Sequence, residues 1–94
     1  MPKVVMYTTA ICPYCMRAKA LLSRKGMEYE ELRIEGNREI MREMLKRSQR
    51  NTVPQIFIDD YHVGGYDDMA ELDALGELDA LLGLAPQIGP DIIT

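Results

Sequence analysis

Cys12-Pro13-Tyr14-Cys15 constrains this chain more than any other stretch. These are its only two cysteines, and they follow the apolar run Val4-Val5-Met6-Tyr7 and precede a helical pattern. Proline suits the first position of a helix, where its fixed φ fits and the N–H it lacks would have no partner. Cys12 is then the N-cap. A sulfur there faces free backbone N–H groups and the positive end of the helix dipole. Both favour the thiolate, so the thiol is expected to titrate below the roughly 8.5 of a free cysteine. Cys15 follows about one turn later, within reach for a disulfide. Cys12 is expected to be exposed and attacking, and Cys15 more buried and resolving. A structural disulfide, a pair of metal ligands and plain core residues are the competing readings. A crosslink over so short a loop stabilises little. A tetrahedral metal site wants four ligands, and His62 is the only other soft donor. Core cysteines need no proline between them. The local pattern favours redox chemistry.

Ninety-four residues, 47% apolar and 28% charged, suit one soluble domain with a single core. A net charge of −4 offers nothing to nucleic acid or to an anionic membrane. No apolar run approaches the roughly 20 residues of a spanning helix. The apolar part of Met1-Pro2-Lys3-Val4-Val5-Met6-Tyr7 is too short for a secretory signal. Two cysteines without such a signal suggest a reducing cytoplasm and a functional thiol pair.

Along the chain, Lys3 to Thr8 reads as a strand covered on both faces. Pro13 to about Lys25 reads as a helix with Cys15, Ala18, Leu21 and Leu22 on one face, and Gly26 closes it. Met27 to Ile34 is a second strand, interrupted in its alternation by Glu30-Glu31. Gly36-Asn37 makes a turn, Asn37 caps a helix to about Arg47, and Ile40, Met41, Met44 and Leu45 form that helix's apolar stripe, read as core. Gln55 to Ile58 and Tyr61 to Val63 form a hairpin around Asp59-Asp60. A last helix is expected from Asp68 to Leu82, with Met69, Leu72, Leu75 and Leu82 inward, Asp68 and Glu71 as a capping box, and Gly76 as a weak spot. Pro86, Gly89 and Pro90 make 84–94 an irregular tail after a domain of 1–83. The order β-α-β-α-β-β-α implies an α/β fold. Its crossover gives parallel strands and its hairpin antiparallel ones, hence a mixed four-stranded sheet flanked by three helices.

Two further stretches bear on the site. Thr52-Val53-Pro54 precedes the third strand, and a cis bond there would turn the Val53 backbone outward toward an extended peptide. Gly64-Gly65-Tyr66-Asp67-Asp68 opens the last helix. It is either a turn with a cap or an anion site, in which glycines permit close approach and free N–H groups hold a carboxylate. His62 reads as a surface or edge-strand residue, since the helix terminus already accounts for a thiolate.

C-P-Y-C after the first strand, then T-V-P, then G-G-x-D-D together resemble the small dithiol glutaredoxins, in size and spacing the bacterial glutaredoxin-3 type. The resemblance runs from Val4 to Leu82. It implies the thioredoxin fold and a glutathione-dependent thiol–disulfide oxidoreductase that reduces protein–glutathione mixed disulfides and protein disulfides. Glutathione is then a co-substrate, with no tightly bound cofactor and no metal. Cys12 is implied as nucleophile and Cys15 as resolving thiol, with Pro13, Gly64 and Asp68 structural. Tyr14 flanks the tripeptide, and Val53, in the Thr52-Val53-Pro54 corner with Pro54 cis, pairs with its cysteinyl unit. Gly65, Tyr66 and Asp67 hold the γ-glutamyl end, its ammonium on Asp67. Partners are glutathione and glutathionylated or disulfide-bearing proteins, with the chain a cytoplasmic monomer. Two positions depart from the family pattern. Thr9 stands where a lysine is frequent, and Tyr66 where many relatives have cysteine. The cation for the glycine carboxylate is therefore open, with Arg38 and Arg42 as candidates. Two alternatives remain: a donor served by thioredoxin reductase, and an iron–sulfur carrier holding a cluster between the Cys12 residues of two chains and two glutathiones. The missing tryptophan before Cys12 and the presence of G-G-Y-D-D argue against the first. Pro13, where cluster-binding relatives have a smaller residue, argues against the second.

Overall fold

A computed structural model describes residues 2–84. Ten residues of the expected tail, 85–94, lie outside the described part, while Leu84 packs against the core. The elements are β1 (Val4–Thr8), α1 (Pro13–Arg24), β2 (Glu30–Arg33), α2 (Arg38–Ser48), β3 (Gln55–Ile58), β4 (Tyr61–Gly64), α3 (Tyr66–Ala74) and α4 (Leu78–Leu81). The sheet order is β2-β1-β3-β4. β1 runs parallel to β2 and antiparallel to β3, and β3 is antiparallel to β4. This is the mixed four-stranded sheet of the thioredoxin fold.

β1 is central, and all five of its residues are buried. Alternate residues of a strand point to opposite faces, and β1 divides accordingly. Val4 and Met6 join the larger core with Ala18, Leu21 and Leu22 of α1, Met69 of α3 and Leu78 of α4. Val5 and Tyr7 join a smaller core with Phe57 of β3 and Met44 of α2. Each fully buried Leu or Met side chain contributes about 1.5–3 kcal/mol relative to exposure, so the face carrying α1, α3 and α4 holds most of the apolar stabilisation.

Several expectations are corrected. The last helix is two helices. α3 begins at Tyr66 with Gly65 as N-cap, not at Asp68, and the chain breaks at Gly76 (φ +76°) before α4. Among the described residues the flanking helices therefore number four. Leu75, expected inward, is 63% exposed because it lies at the break. Asp68 is the third helical residue, and its carboxylate accepts from the Gly65 N–H at 2.9 Å, so its partner is the chain before it and not Glu71. On α2, Met44 is fully buried, but Met41 and Leu45 are each 39% exposed, because the small core reaches only one side of the expected stripe. β2 is shorter than expected. It pairs with β1 only over Glu30–Arg33, and Met27 enters the core from the preceding turn.

Candidate active site

Local chemistry builds the first half of the site. Pro13 is the first residue of α1, and Cys12 caps it from an extended conformation. The Cys12 Sγ accepts from the Cys15 N–H at 3.1 Å. The two cysteines form a disulfide with Cα atoms 5.1 Å apart. Cys15 is 1% exposed and Cys12 7%. The order is as expected, but Cys12 is buried where exposure was expected: its sulfur is bonded to Cys15 and sits 3.9 Å from the Val53 carbonyl oxygen. A disulfide sulfur has no proton to donate, so this approach is a contact that brings the Thr52-Val53-Pro54 corner against Cys12.

β3 and β4 deliver the other half. The Val53-Pro54 bond is cis. Beside it α3 begins, and a groove of about 210 Å³ runs between the two. Tyr14, Thr52, Val53, Pro54, Gly65, Tyr66 and Asp67 all line it, so the substrate-holding residues of the three motifs are in one place, while Arg38 and Arg42 are not among them. The rings of Tyr14 and Tyr66 stack across it at 6.4 Å, and the Arg17 guanidinium lies 5.3 Å from the Tyr14 ring centre. Of the two glycines, Gly64 is the one the backbone demands. Its φ is +112°, and a Cβ there would come 2.3 Å from the Asp68 carboxylate. A Cβ on Gly65 would meet the Pro54 carbonyl oxygen at 3.5 Å and the Asp68 carboxylate at 4.0 Å, both ordinary contacts. A larger cavity of about 590 Å³ lies at the far end of the sheet around Lys3, Met27 and Tyr29. It has neither thiol nor motif residues, so the chemistry is assigned to the smaller groove.

The groove also contains Arg50, Gln55 and Asp68. Arg50 donates to the Asp68 carboxylate at 3.1 Å. The Asp68 carboxyl is held below its ordinary 3.8, first by the Gly65 N–H and then by Arg50. Arg50, not Arg38 or Arg42, is the cation the fold brings to the groove. Its place just before Thr52-Val53-Pro54 was the available sequence signal. Gln55, 1% exposed, was read only as strand. His62 does lie on the edge strand β4, but it is half-buried and bonded to Gln55. Burial first, and Arg50 next, push its pKa below 6.5.

A redox-active cysteine pair at a strand-to-helix junction, on a thioredoxin-fold sheet with a groove alongside, defines a thiol–disulfide oxidoreductase. The glutaredoxin family model matches residues 4–63. Glutaredoxin 3 of Escherichia coli is 60% identical over 82 residues, covering 87% of this chain and 99% of that protein. The solution structure of a Brucella melitensis glutaredoxin superposes with a TM-score of 0.77 at 54% identity, covering 87% of this chain and 89% of that one. A buckwheat glutaredoxin–glutathione complex superposes with a TM-score of 0.80 at 27% identity, covering 89% and 83%. The chain belongs to the glutaredoxin family. Among the described residues, no helix is long and apolar enough to cross a membrane.

Proposed function

We propose that this oxidoreductase is glutathione-dependent, reducing protein–glutathione mixed disulfides and, through both cysteines, protein disulfides. One observation carries the reading: a single groove beside Cys12 contains all the residues that the three motifs assign to glutathione. In this reading Tyr14 flanks the tripeptide, and the Val53 backbone pairs with its cysteinyl unit. The amides at the start of α3 take the γ-glutamyl carboxylate, and Asp67 takes its ammonium. Arg50 lines the same groove and offers a guanidinium to the other carboxylate of the ligand.

The reaction begins with the Cys12 thiolate attacking the glutathionyl sulfur of a mixed disulfide. The old S–S bond breaks, the target leaves as a thiolate and takes a proton from water, and Cys12 carries the glutathionyl group. A second glutathione thiolate attacks that group, releasing glutathione disulfide and restoring the Cys12 thiolate. In net, one glutathione is consumed: its sulfur is oxidised, the target sulfur is reduced to a thiol, and the glutathionyl group of the mixed disulfide leaves in glutathione disulfide. With a protein disulfide, Cys12 attacks and Cys15 then displaces the target, leaving the Cys12–Cys15 bond. The test is the rate of glutathione-driven reduction of the cysteine–glutathione mixed disulfide. Turnover supports the reading, and its absence in protein that still reduces a protein disulfide overturns it.

A further inference from the structure

The Thr52-Val53-Pro54 corner touches the nucleophile, yet little of the backbone holds it. Among the described residues, side-chain hydrogen bonds reach Thr52 and Val53 only from Gln55, apart from the 3.9 Å approach of Cys12 to Val53. The Gln55 Nε2 donates to the Thr52 carbonyl oxygen at 3.1 Å and lies 3.3 Å from the Thr52 hydroxyl. A peptide oxygen only accepts, so the orientation of the Gln55 amide is settled: nitrogen toward Thr52, oxygen away. That oxygen lies 2.7 Å from His62 Nε2. It too only accepts, so His62 Nε2 must carry a proton.

The ring is held in turn. It stacks on Phe57 at 4.7 Å and 21°, and the Arg47 guanidinium sits 3.9 Å from the Phe57 ring centre. Arg47 also donates to the Tyr7 hydroxyl at 3.0 Å, and that hydroxyl donates to Glu43. The charged groups acting on His62 are Arg47 of α2, Arg50 of the preceding loop and Asp68 of α3; both arginines disfavour the imidazolium and Asp68 favours it. Burial disfavours the imidazolium further, and in the neutral ring the single proton is the one on Nε2 that faces Gln55.

We infer that His62 is a positioning residue for the glutathione groove: its Nε2–H, through the buried Gln55 amide, holds the Thr52 carbonyl and with it the Val53 backbone that faces Cys12. The inference rests on the glutathione reading above for its kinetic consequence but not for its structural one. Without the donor, the buried Gln55 oxygen has no partner, an unfavourable state that rotation of the amide relieves at the expense of Thr52. The corner then loosens, which weakens substrate binding and leaves the sulfur's own reactivity alone.

His62→Phe keeps a ring on Phe57 and removes the donor, while His62→Gln restores an amide donor. With the cysteine–glutathione mixed disulfide as substrate, His62→Phe should raise KM roughly 3- to 10-fold, the worth of one hydrogen bond, with kcat within about twofold. His62→Gln should recover most of that loss. Gln55→Leu should match His62→Phe, and the double variant should be no worse than either, since one path is being cut twice. An unchanged KM in His62→Phe, or a fall in kcat alone, would overturn the inference. A substrate-free arm separates this from failure of the glutathione reading. In the unaltered protein, nitrogen-15 spectra should show Nε2 protonated and Nδ1 bare. Backbone order parameters of Thr52 and Val53 should fall in His62→Phe and recover in His62→Gln. The opposite tautomer, or unchanged order parameters in His62→Phe, overturns the positioning role whether or not glutathione is the substrate.

Discussion

Two helices begin on the same groove, and they treat their free amides differently. At α1 the cap is a side chain that reacts: Cys12 Sγ takes the Cys15 N–H, and no acidic residue occupies the first turn. At α3 the cap is Gly65, which has no side chain, and Asp68 reaches back from the third helical position to the Gly65 N–H. The first terminus places its field on a sulfur of its own. The second holds its entry segment with a carboxylate and leaves the front of the helix open to the groove. In the proposed function, the same electrostatics serves a nucleophile at one end and a binding surface at the other.

Removing the reactive cap should have the largest effect. Cys12→Ser is expected to abolish reduction of the cysteine–glutathione mixed disulfide, while Cys15→Ser keeps much of it. If Cys15→Ser proves as inactive as Cys12→Ser, the route through Cys12 alone is wrong. Absorbance of the thiolate in the reduced protein should show Cys12 ionising below roughly 8.5, as the helix terminus requires.

The α3 terminus is expected to respond through stability first. Gly64→Ala puts a Cβ against Asp68 at a φ that side chains rarely adopt, and should cost about 1–3 kcal/mol in denaturant unfolding. Gly65→Ala meets only ordinary contacts, so its stability should change by less than about 0.5 kcal/mol. Its methyl would stand at the groove wall, and the expected effect is a severalfold rise in KM for the mixed disulfide. Equal stability losses in the two alanine variants would remove the distinction between a glycine required by the backbone and one required by the ligand.

Acid should produce the smallest difference between the termini. The folded pKa of Asp68 lies below 3.8, so its contribution is complete above that value and is lost as pH falls through the lower folded value. The side chain is 44% exposed, so solvent screening keeps the effect small. Amide exchange at the start of α3 should quicken relative to the start of α1 as pH drops below 3.8. Parallel behaviour of the two would mean that Asp68 does not hold the α3 entry.

Much of this was legible from neighbours in the chain. Pro13 after Cys12 announced the α1 cap, Asn37 capped α2 by accepting from the Ile40 N–H, and Gly26 at φ +71° ended the α1 region. The break at Gly76 was visible as a weak spot only, because a single glycine within a helical pattern lowers its stability without deciding whether it ends. The chain decided the break by docking Leu78 and Leu82 into the core after it.

Sequence alone determined what acts over one helical turn or one strand: a sulfur at a helix start, a central strand apolar on both faces, and a glycine-led entry to α3. Those are effects of residues within about four positions of each other, where spacing is geometry. Tertiary structure decided which separate loops meet. Placing β3 between β1 and β4 brings Val53 to Cys12, Arg50 to Asp68, and His62 to Gln55 across the hairpin. Such contacts depend on strand register and on what each face of the sheet buries, and no local pattern contains that information.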